Sequence, residues 1–351
     1  MNTIGNKLRL TTFGESHGPA MGGIIDGFPP NFKINFDELY CEIAKRAPGS
    51  SSLVTQRNER DIPEFLSGIT ENGLTLGTPI GYIVRNSDNR SKDYSELEEK
   101  YRPNHADYTY DAKYGIRDYR GGGRSSARET VNWVIAGALA QQWLIENGIS
   151  IQAELTAVGA ISFAEELKNK FSTDPLAGYE FKVPEEIKKQ MDDQILQAKS
   201  NGDSVGGLVT CLIKGIKAGV GSPVFEKLHS RIAMAMMSIN AAKGFEYGLG
   251  MASSKSFGSQ TLDIFETENN QVKTFSNYSG GIQGGISNGM PIYFNVAFKP
   301  TPTIMKELET INKKGEKTTL KMTGRHDPCV AVRAVPVVKA LTALVVMDAL
   351  L

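Results

Sequence analysis

Two histidines and a set of arginines on glycine-rich turns are the side chains here whose types and spacing suit chemistry. His17 lies in Gly14-Glu-Ser-His-Gly18, where flanking glycines and a neighbouring carboxylate leave an imidazole exposed and positioned for proton transfer near neutral pH. His105 lies in Arg102-Pro-Asn-His-Ala-Asp107, and Pro103 fixes the backbone just ahead of it. Residues 117–129, Arg-Asp-Tyr-Arg-Gly-Gly-Gly-Arg-Ser-Ser-Ala-Arg-Glu, then place four arginines around three glycines. Ser126 and Glu129 have the S-x-x-E spacing of a capping box, which predicts a helix start near Ala127. Unpaired N–H groups at that start, beside Arg120, Arg124 and Arg128, would suit an oxyanion or phosphate. The stretch matches neither G-x-x-x-x-G-K-S/T nor a clean G-x-G-x-x-G, and two plainer readings compete: a disordered RNA-binding segment and a tight connection.

Elements must hold these residues in place. Residues 7–13 alternate as a strand and residues 22–27 read as a second one, a hairpin with His17 at its tip. Residues 37–45 read as a short helix, followed by a polar loop from Arg46 to Arg57. Residues 66–68 and 74–80 read as sheet, and residues 86–118 as a long polar loop, a lid or a disordered segment. After the cap, Val131, Val134, Ile135, Ala138, Leu139 and Trp143 recur at three- and four-residue steps, giving the helix one apolar face, and Asn147-Gly148 ends it.

Residues 149–155 alternate as a strand, and the charged stretch 163–201 reads as connection, helical over 184–198 with Ile187, Met191 and Ile195 inward. Residues 208–213 read as a strand and 223–239 as a helix with His229 on its surface, ended by residues 240–244. A glycine turn at 280–286 leads to a strand over 291–298. Lys299-Pro-Thr-Pro-Thr303 then forms a rigid edge with ammonium and hydroxyl donors. Residues 324–328 open a terminal helix, with Arg325 and Asp327 forming either an ion pair or part of a site. Arg333, Pro336, Lys339 and Asp348 interrupt its apolar run, which favours a buried helix over a membrane span.

Composition excludes several classes. The 351 residues suffice for one large domain or two ordinary ones, and 39 basic residues balance 39 acidic ones. No global field favours nucleic acid or an anionic membrane. Cys41, Cys211 and Cys329 are odd in number and widely spaced, which argues against a zinc site or disulfide framework and for a reducing cytoplasm. Met1-Asn-Thr-Ile-Gly-Asn6 lacks a basic segment followed by an apolar one, so the expectation is a chain neither secreted nor imported. From pattern alone the fold class is α+β or α/β, since strands and helices intermingle without a regular βαβ period.

Three separated stretches resemble one family. Gly14-Glu-Ser-His-Gly18 with Asp26-Gly-Phe-Pro29, Gly123-Arg-Ser-Ser-Ala-Arg-Glu-Thr130 with Gly137-Ala-Leu-Ala140, and Arg325-His-Asp-Pro-Cys329 are similar to the signatures of chorismate synthase, and the resemblance runs from Asn2 to about Leu344. It implies an α+β fold, a β-α-β sandwich of antiparallel sheets around a helical layer. One domain would span residues 1–351, assembled as a homotetramer in the cytoplasm. It further implies a 1,4-anti elimination of phosphate from 5-enolpyruvylshikimate 3-phosphate, giving chorismate and requiring reduced FMN without net redox change.

The same resemblance assigns roles. His17 would protonate the leaving phosphate, His105 would protonate reduced flavin and keep it monoanionic, and Asp327 would assist proton removal through flavin N5. Flavin would be held by Arg124, Ser125, Ser126, Asn240, Ala241, Gly284, Lys299, Pro300, Thr301, Pro302, Thr303 and Arg325. Arg46, Arg102 and Arg128 fall where substrate phosphate and carboxylates bind, and Arg46 also where NADPH is associated. No long insertion is present, which implies the monofunctional type relying on an external flavin reductant. Two positions depart from the family pattern: Ser52 replaces an expected arginine and Lys339 an acidic residue.

Two other function classes remain open at this stage. A flavin reductase or NADPH-dependent oxidoreductase would oxidise NADPH without releasing phosphate. A nucleic-acid module built on residues 117–128 would bind RNA with steep salt dependence, against which stand the neutral charge and the helix cap.

Overall fold

The computed structural model describes residues 1–47, 53, 61–86, 97–175, 181–268, 270–322 and 327–351. Strands β1 (Thr3–Ile4), β2 (Arg9–Gly14), β3 (Ala20–Asp26), β4 (Glu64–Phe65) and β5 (Ile80–Arg85) form one antiparallel sheet in the order β1-β2-β3-β5-β4. Leu10 and Thr12 of β2 turn inward by the two-residue period of a strand. Gly14 pairs with Met21 at the closed end of the β2–β3 hairpin, so His17 stands in its connecting turn. The paired strand after residue 74 is β5; Leu74 and Thr75 make only isolated bridges, a shift from the expected sheet over 74–80.

A helical layer follows. In it α1 (Phe36–Arg46) packs against α3 (Thr130–Glu146), and α2 (Asp107–Tyr114) lies between the two in sequence. Asn35 caps α1 by accepting the Glu38 N–H, and acidic residues fill its first turn. Helix α2 lies inside the stretch expected to be loop. It has no apolar face to betray it, and its one buried side chain is the charged Asp107.

The second antiparallel sheet is built from β6 (Ser150–Val158), β7 (Ile161–Ser162), β8 (Gly207–Lys214), β9 (Ala242–Tyr247) and a later strand. Helices α4 (Ala164–Thr173), α5 (Glu185–Ser200) and α6 (Leu228–Met237) are interleaved with them. Small hairpins follow: β10 (Phe265–Glu268) with β11 (Gln271–Thr274), and β12 (Ile282–Gln283) with β13 (Ile286–Ser287). Then come β14 (Ile292–Phe298), the hairpin β15 (Glu307–Ile311) with β16 (Lys317–Lys321), and α7 (Val330–Leu350). The sheet order is β7-β6-β8-β14-β9.

Helix α3 packs on β2 and β3 of the first sheet, α7 packs on β6 and β8 of the second, and the two helices lie against each other. The architecture is therefore α+β, two antiparallel sheets enclosing helices. Gly137 makes the crossing possible, because a Cβ there would stand 2.4 Å from the Ala340 Cβ. Helix α3 does not have one apolar face; it is buried around most of its circumference, Asn132, Gln141 and Gln142 included. Helix α7 is long and apolar enough to cross a membrane by length and composition, yet 72% of its most apolar window is buried inside the protein. Its charge near the end is structural. The Asp348 carboxylate accepts the N–H groups of Asn6, Lys7 and Leu8 and pairs with Arg231, tying the chain's two ends together.

Candidate active site

Three consecutive glycines organise the site, each in the left-handed region: Gly121, Gly122 and Gly123 have φ of 72°, 100° and 55°. Each faces a different side chain. A Cβ on Gly121 would stand 2.1 Å from Cε1 of His17, one on Gly122 would stand 3.0 Å from Cε1 of His105, and one on Gly123 would stand 2.6 Å from Oε2 of Glu15. The turn thus brings the two imidazoles onto adjacent residues although they are 88 positions apart in sequence (105 − 17).

The rings are held differently. Nδ1 of His17 lies 3.1 Å from the Ser16 hydroxyl, and Asn86 steadies the turn by donating from Nδ2 to the carbonyls of Glu15 and Gly18. Nδ1 of His105 lies 3.0 Å from Oδ1 of Asp107. Burial pushes the His105 imidazole below its ordinary value, with Arg102 and Lys299 acting the same way and Asp107 opposing them. His105 is therefore neutral at pH 7.

The arginines do not stand free. Arg102 grips Asp107 in bidentate fashion, through Nε at 2.8 Å and Nη2 at 2.7 Å. Arg117 pairs with Asp107 and Asp111, Arg120 with Asp118, Arg124 with Glu129, and Arg128 with Asp61. Asp61 also pairs with Arg46, and both side chains are 1% exposed. Burial pushes the Arg46 guanidinium down to about 10, opposed by Asp61 and reinforced by the positive charges of Arg333 and Arg128. Arg333 donates to the Arg46 carbonyl and to Oδ2 of Asp327 at 2.8 Å. A chain of contacts therefore runs from Asp327 through Arg333, Arg46, Asp61, Arg128 and Asn86 to the His17 turn.

The expected helix cap is realised only in part. Ser126 accepts the Arg128 N–H, but a 3-10 turn over residues 127–129 precedes α3, and Glu129 is buried on Arg124 instead of returning to the cap. The Arg124 backbone N–H, just ahead of the expected oxyanion site, is taken by the chain's own Glu15, whose carboxyl is pushed up by burial against the lowering pull of Arg124. With a carboxylate on each of Arg117, Arg120, Arg124 and Arg128, the charge that a nucleic-acid reading needs is neutralised internally.

The family profile of chorismate synthase matches residues 8–351. Curated relatives named chorismate synthase include one from Bacteroides thetaiotaomicron, 52% identical over 99% of this chain and 97% of the relative. Another, from Phocaeicola vulgatus, is 51% identical over the same shares. A crystal structure titled as chorismate synthase superposes with a TM-score of 0.77 at 31% identity, covering 99% of this chain and 92% of that one. The chain belongs to the chorismate synthase family. It is accordingly a lyase acting on a phosphate-bearing substrate, on the shikimate route to aromatic amino acids.

Chorismate synthase residues expected to hold flavin form a closed set of contacts here, with exceptions. Asn240 donates to the Ser125 carbonyl, the Ala241 carbonyl accepts the Lys299 N–H, and Lys299 Nζ reaches the Asn104 carbonyl beside His105. Ser125 Oγ closes the ring on the Gly122 carbonyl. Ser204 Oγ donates to the Thr301 carbonyl, and the neighbouring Val205 N–H to that of Pro328, which joins the turn of Pro300, Pro302 and Thr303 to Asp327. Oδ1 of Asn240 and Oγ1 of Thr301 are buried and lack a hydrogen-bond partner among the described residues.

Arg124 turns away from this ring, donating to Thr12, the Gly14 carbonyl and Glu129. Beyond it lies a cavity of about 1230 Å³ lined by Glu15, Tyr110, Arg124, Glu129 and Trp133, which neither histidine touches. Gly284 is also remote. Its hairpin abuts the start of α6, whereas Asn240 follows the end of α6, so about 15 Å of helix separates them at 1.5 Å per residue. Arg325 and Ser52 lie outside the described residues. Lys339 pairs with Glu42 of α1.

Sequence reasoning missed Asp61, Asp107 and Arg333 as members of the site, and read Glu129 only as part of a helix cap. Their signal was weak: single charges without periodicity, in segments read as loop or helix surface. His229 is half-buried and stacked on Tyr247, with ring centroids 4.9 Å apart, and is not the surface residue expected. Residues 240–244 do more than end a helix; Ala241 turns the chain with φ of 68° straight into β9.

Proposed function

We propose that this chain converts 5-enolpyruvylshikimate 3-phosphate to chorismate by 1,4-anti elimination of phosphate with reduced FMN. The observation that carries the reading is the pair of imidazoles on adjacent glycines, beside a ring of polar groups with two buried atoms left unsatisfied. An unsatisfied buried polar atom costs about 1–3 kcal/mol, so Asn240 Oδ1 and Thr301 Oγ1 call for a ligand and fit a flavin there. When bound, reduced FMN supplies an electron-rich partner while an unactivated C–H bond breaks and phosphate departs.

The chain's own residues do the rest. His17, in its glycine-bounded turn, gives a proton to the departing phosphate. His105 exchanges a proton at Nε2 with the flavin, and Asp327 takes part in removing the substrate proton. Lys299 has no carboxylate partner among the described residues, and burial together with the charge of Lys243 lowers its ammonium, so a phosphate would relieve it. Arg46, Arg102 and Arg128 bind the substrate's anionic groups from the network around Asp61 and Asp107. Ser125, Ser126, Asn240 and Ala241 with residues 299–303 and Arg325 hold the flavin.

Residues 1–351 act as one domain, supported by a core cluster that draws on both sheets and the helices between them. The protein works as a cytoplasmic homotetramer. Exposed Phe257, Leu262, Phe265, Val272 and Phe275 support an assembly that covers them. The test is an anaerobic assay of phosphate release and chorismate absorbance with dithionite-reduced FMN, repeated with NADPH in place of dithionite. Product with dithionite alone is expected of the monofunctional type. Product with both would add an intrinsic flavin reductase, and product with neither would overturn the reading.

A further inference from the structure

We propose that Asp107 is a positioning residue for His105: it takes the Nδ1 proton and leaves Nε2 as the atom that faces the ligand. The proposal rests on the reading of His105 as a proton-exchanging group.

Asp107 is 4% exposed, and every partner it has is a donor. It accepts the Arg102 backbone N–H at 2.9 Å, Arg102 Nε at 2.8 Å and Arg102 Nη2 at 2.7 Å, and it lies 3.0 Å from Arg117 Nη1. Arg102, by its hydrogen bonds and its charge, holds the Asp107 carboxyl far below the usual carboxylate range despite burial, with the His105 contact acting the same way, so Asp107 is ionised and can only accept. The contact from His105 Nδ1 at 3.0 Å must therefore be a donation from Nδ1–H. In the neutral ring Nε2 then carries the lone pair, and it lies 3.5 Å from where a Gly122 Cβ would stand.

Arg117 is the anchor of this arrangement. Its guanidinium also reaches the carbonyls of Leu97 and Lys100 and lies over the Tyr101 ring, 5.2 Å from the centroid. Arg102 is thereby committed to Asp107 through three donors, which makes its first duty the orientation of His105. Where an acidic residue orients a metal-ligating histidine and fixes its tautomer, altering it typically costs about 10–100-fold, and the same scale is expected for Asp107 acting on His105.

The test has two arms. In 15N NMR of the histidine-labelled, unmutated protein, with His105→Gln used for assignment, the account predicts that neutral His105 is protonated at Nδ1. Protonation at Nε2 would overturn it. In the anaerobic turnover assay Asp107→Asn is expected to lower kcat about 10–100-fold with little change in KM, and to have less than about a twofold effect in a His105→Ala background. An equal loss in both backgrounds would mark Asp107 as merely structural and end the proposal. If Asp107→Asn does not fold, the tautomer decides alone. Wild-type turnover by His105→Ala would remove the reading of His105 itself, a result separable from the NMR arm.

Discussion

The turn at His17 and the helix start at His105 present the same imidazole to the same three glycines under opposite constraints. His17 rests against a hydroxyl, Ser16 Oγ, which can donate or accept, so this contact by itself fixes neither tautomer. His105 rests against an ionised carboxylate that is itself clamped by two buried arginines, so one tautomer is fixed. The difference separates two duties: a ring that must pass a proton to a leaving group gains from an adaptable partner, and one that must hold a defined face to a cofactor gains from a rigid one.

The largest way to break this comparison is to delete either ring. His17→Ala and His105→Ala should each retain fold and flavin binding and slow phosphate release by about 10²–10⁴-fold, the scale of acid–base catalysis. Undiminished single-turnover rates would remove the assigned roles.

Asp61 tests the scaffold beneath the His17 turn. Asp61→Asn leaves Arg46 and Arg128 without their buried counter-charge and should destabilise the protein by about 3–5 kcal/mol in denaturant unfolding. A loss below 1 kcal/mol would show that the network is not what holds Arg46 in place.

The glycines sharpen the comparison, since each addresses one ring. Gly121→Ala should displace His17 and lower turnover by up to about 100-fold, whereas Gly122→Ala, with its 3.0 Å approach, should cost less and act through His105. Equal effects would mean that backbone strain at positive φ, and not contact with a particular ring, dominates.

The smallest expected effect is on pH. Since the folded His105 has a lowered value, the unfolded chain binds more protons in the window just below the ordinary 6.5. Its contribution to stability is thus complete above about pH 6.5 and lost as pH falls through the folded value. In thermal unfolding His105→Gln should flatten the decline of Tm below pH 6.5, and an unchanged slope would contradict the shift.

The hairpin that carries His17 was legible in the sequence, because alternation on either side of a glycine-bounded turn leaves little choice of register. The terminal helix was legible too, although its charges became intelligible only when Asp348 met the N-terminal N–H groups. Helix α2 was not, because Asp-Tyr-Thr-Tyr-Asp-Ala-Lys-Tyr shows no apolar stripe, and the residue it exists to place, Asp107, is an acid buried among arginines. Strand β9 was hidden behind Asn240 and the glycine at 244, which read as punctuation. The glycine triplet was visible as flexible backbone, but that each glycine faces a different functional side chain depends on contacts far apart in sequence. A single carboxylate such as Asp61 carries no periodicity at all, and only its distances to arginines identify it.

The measurement that tests the central claim most directly is a crystal structure of the protein with FMN and 5-enolpyruvylshikimate 3-phosphate bound. The account predicts the substrate phosphate within hydrogen-bond reach of His17 and the flavin against Nε2 of His105, Asn240 and Thr301. Ligands found instead in the cavity between Glu15 and Trp133, out of reach of both imidazoles, would contradict it.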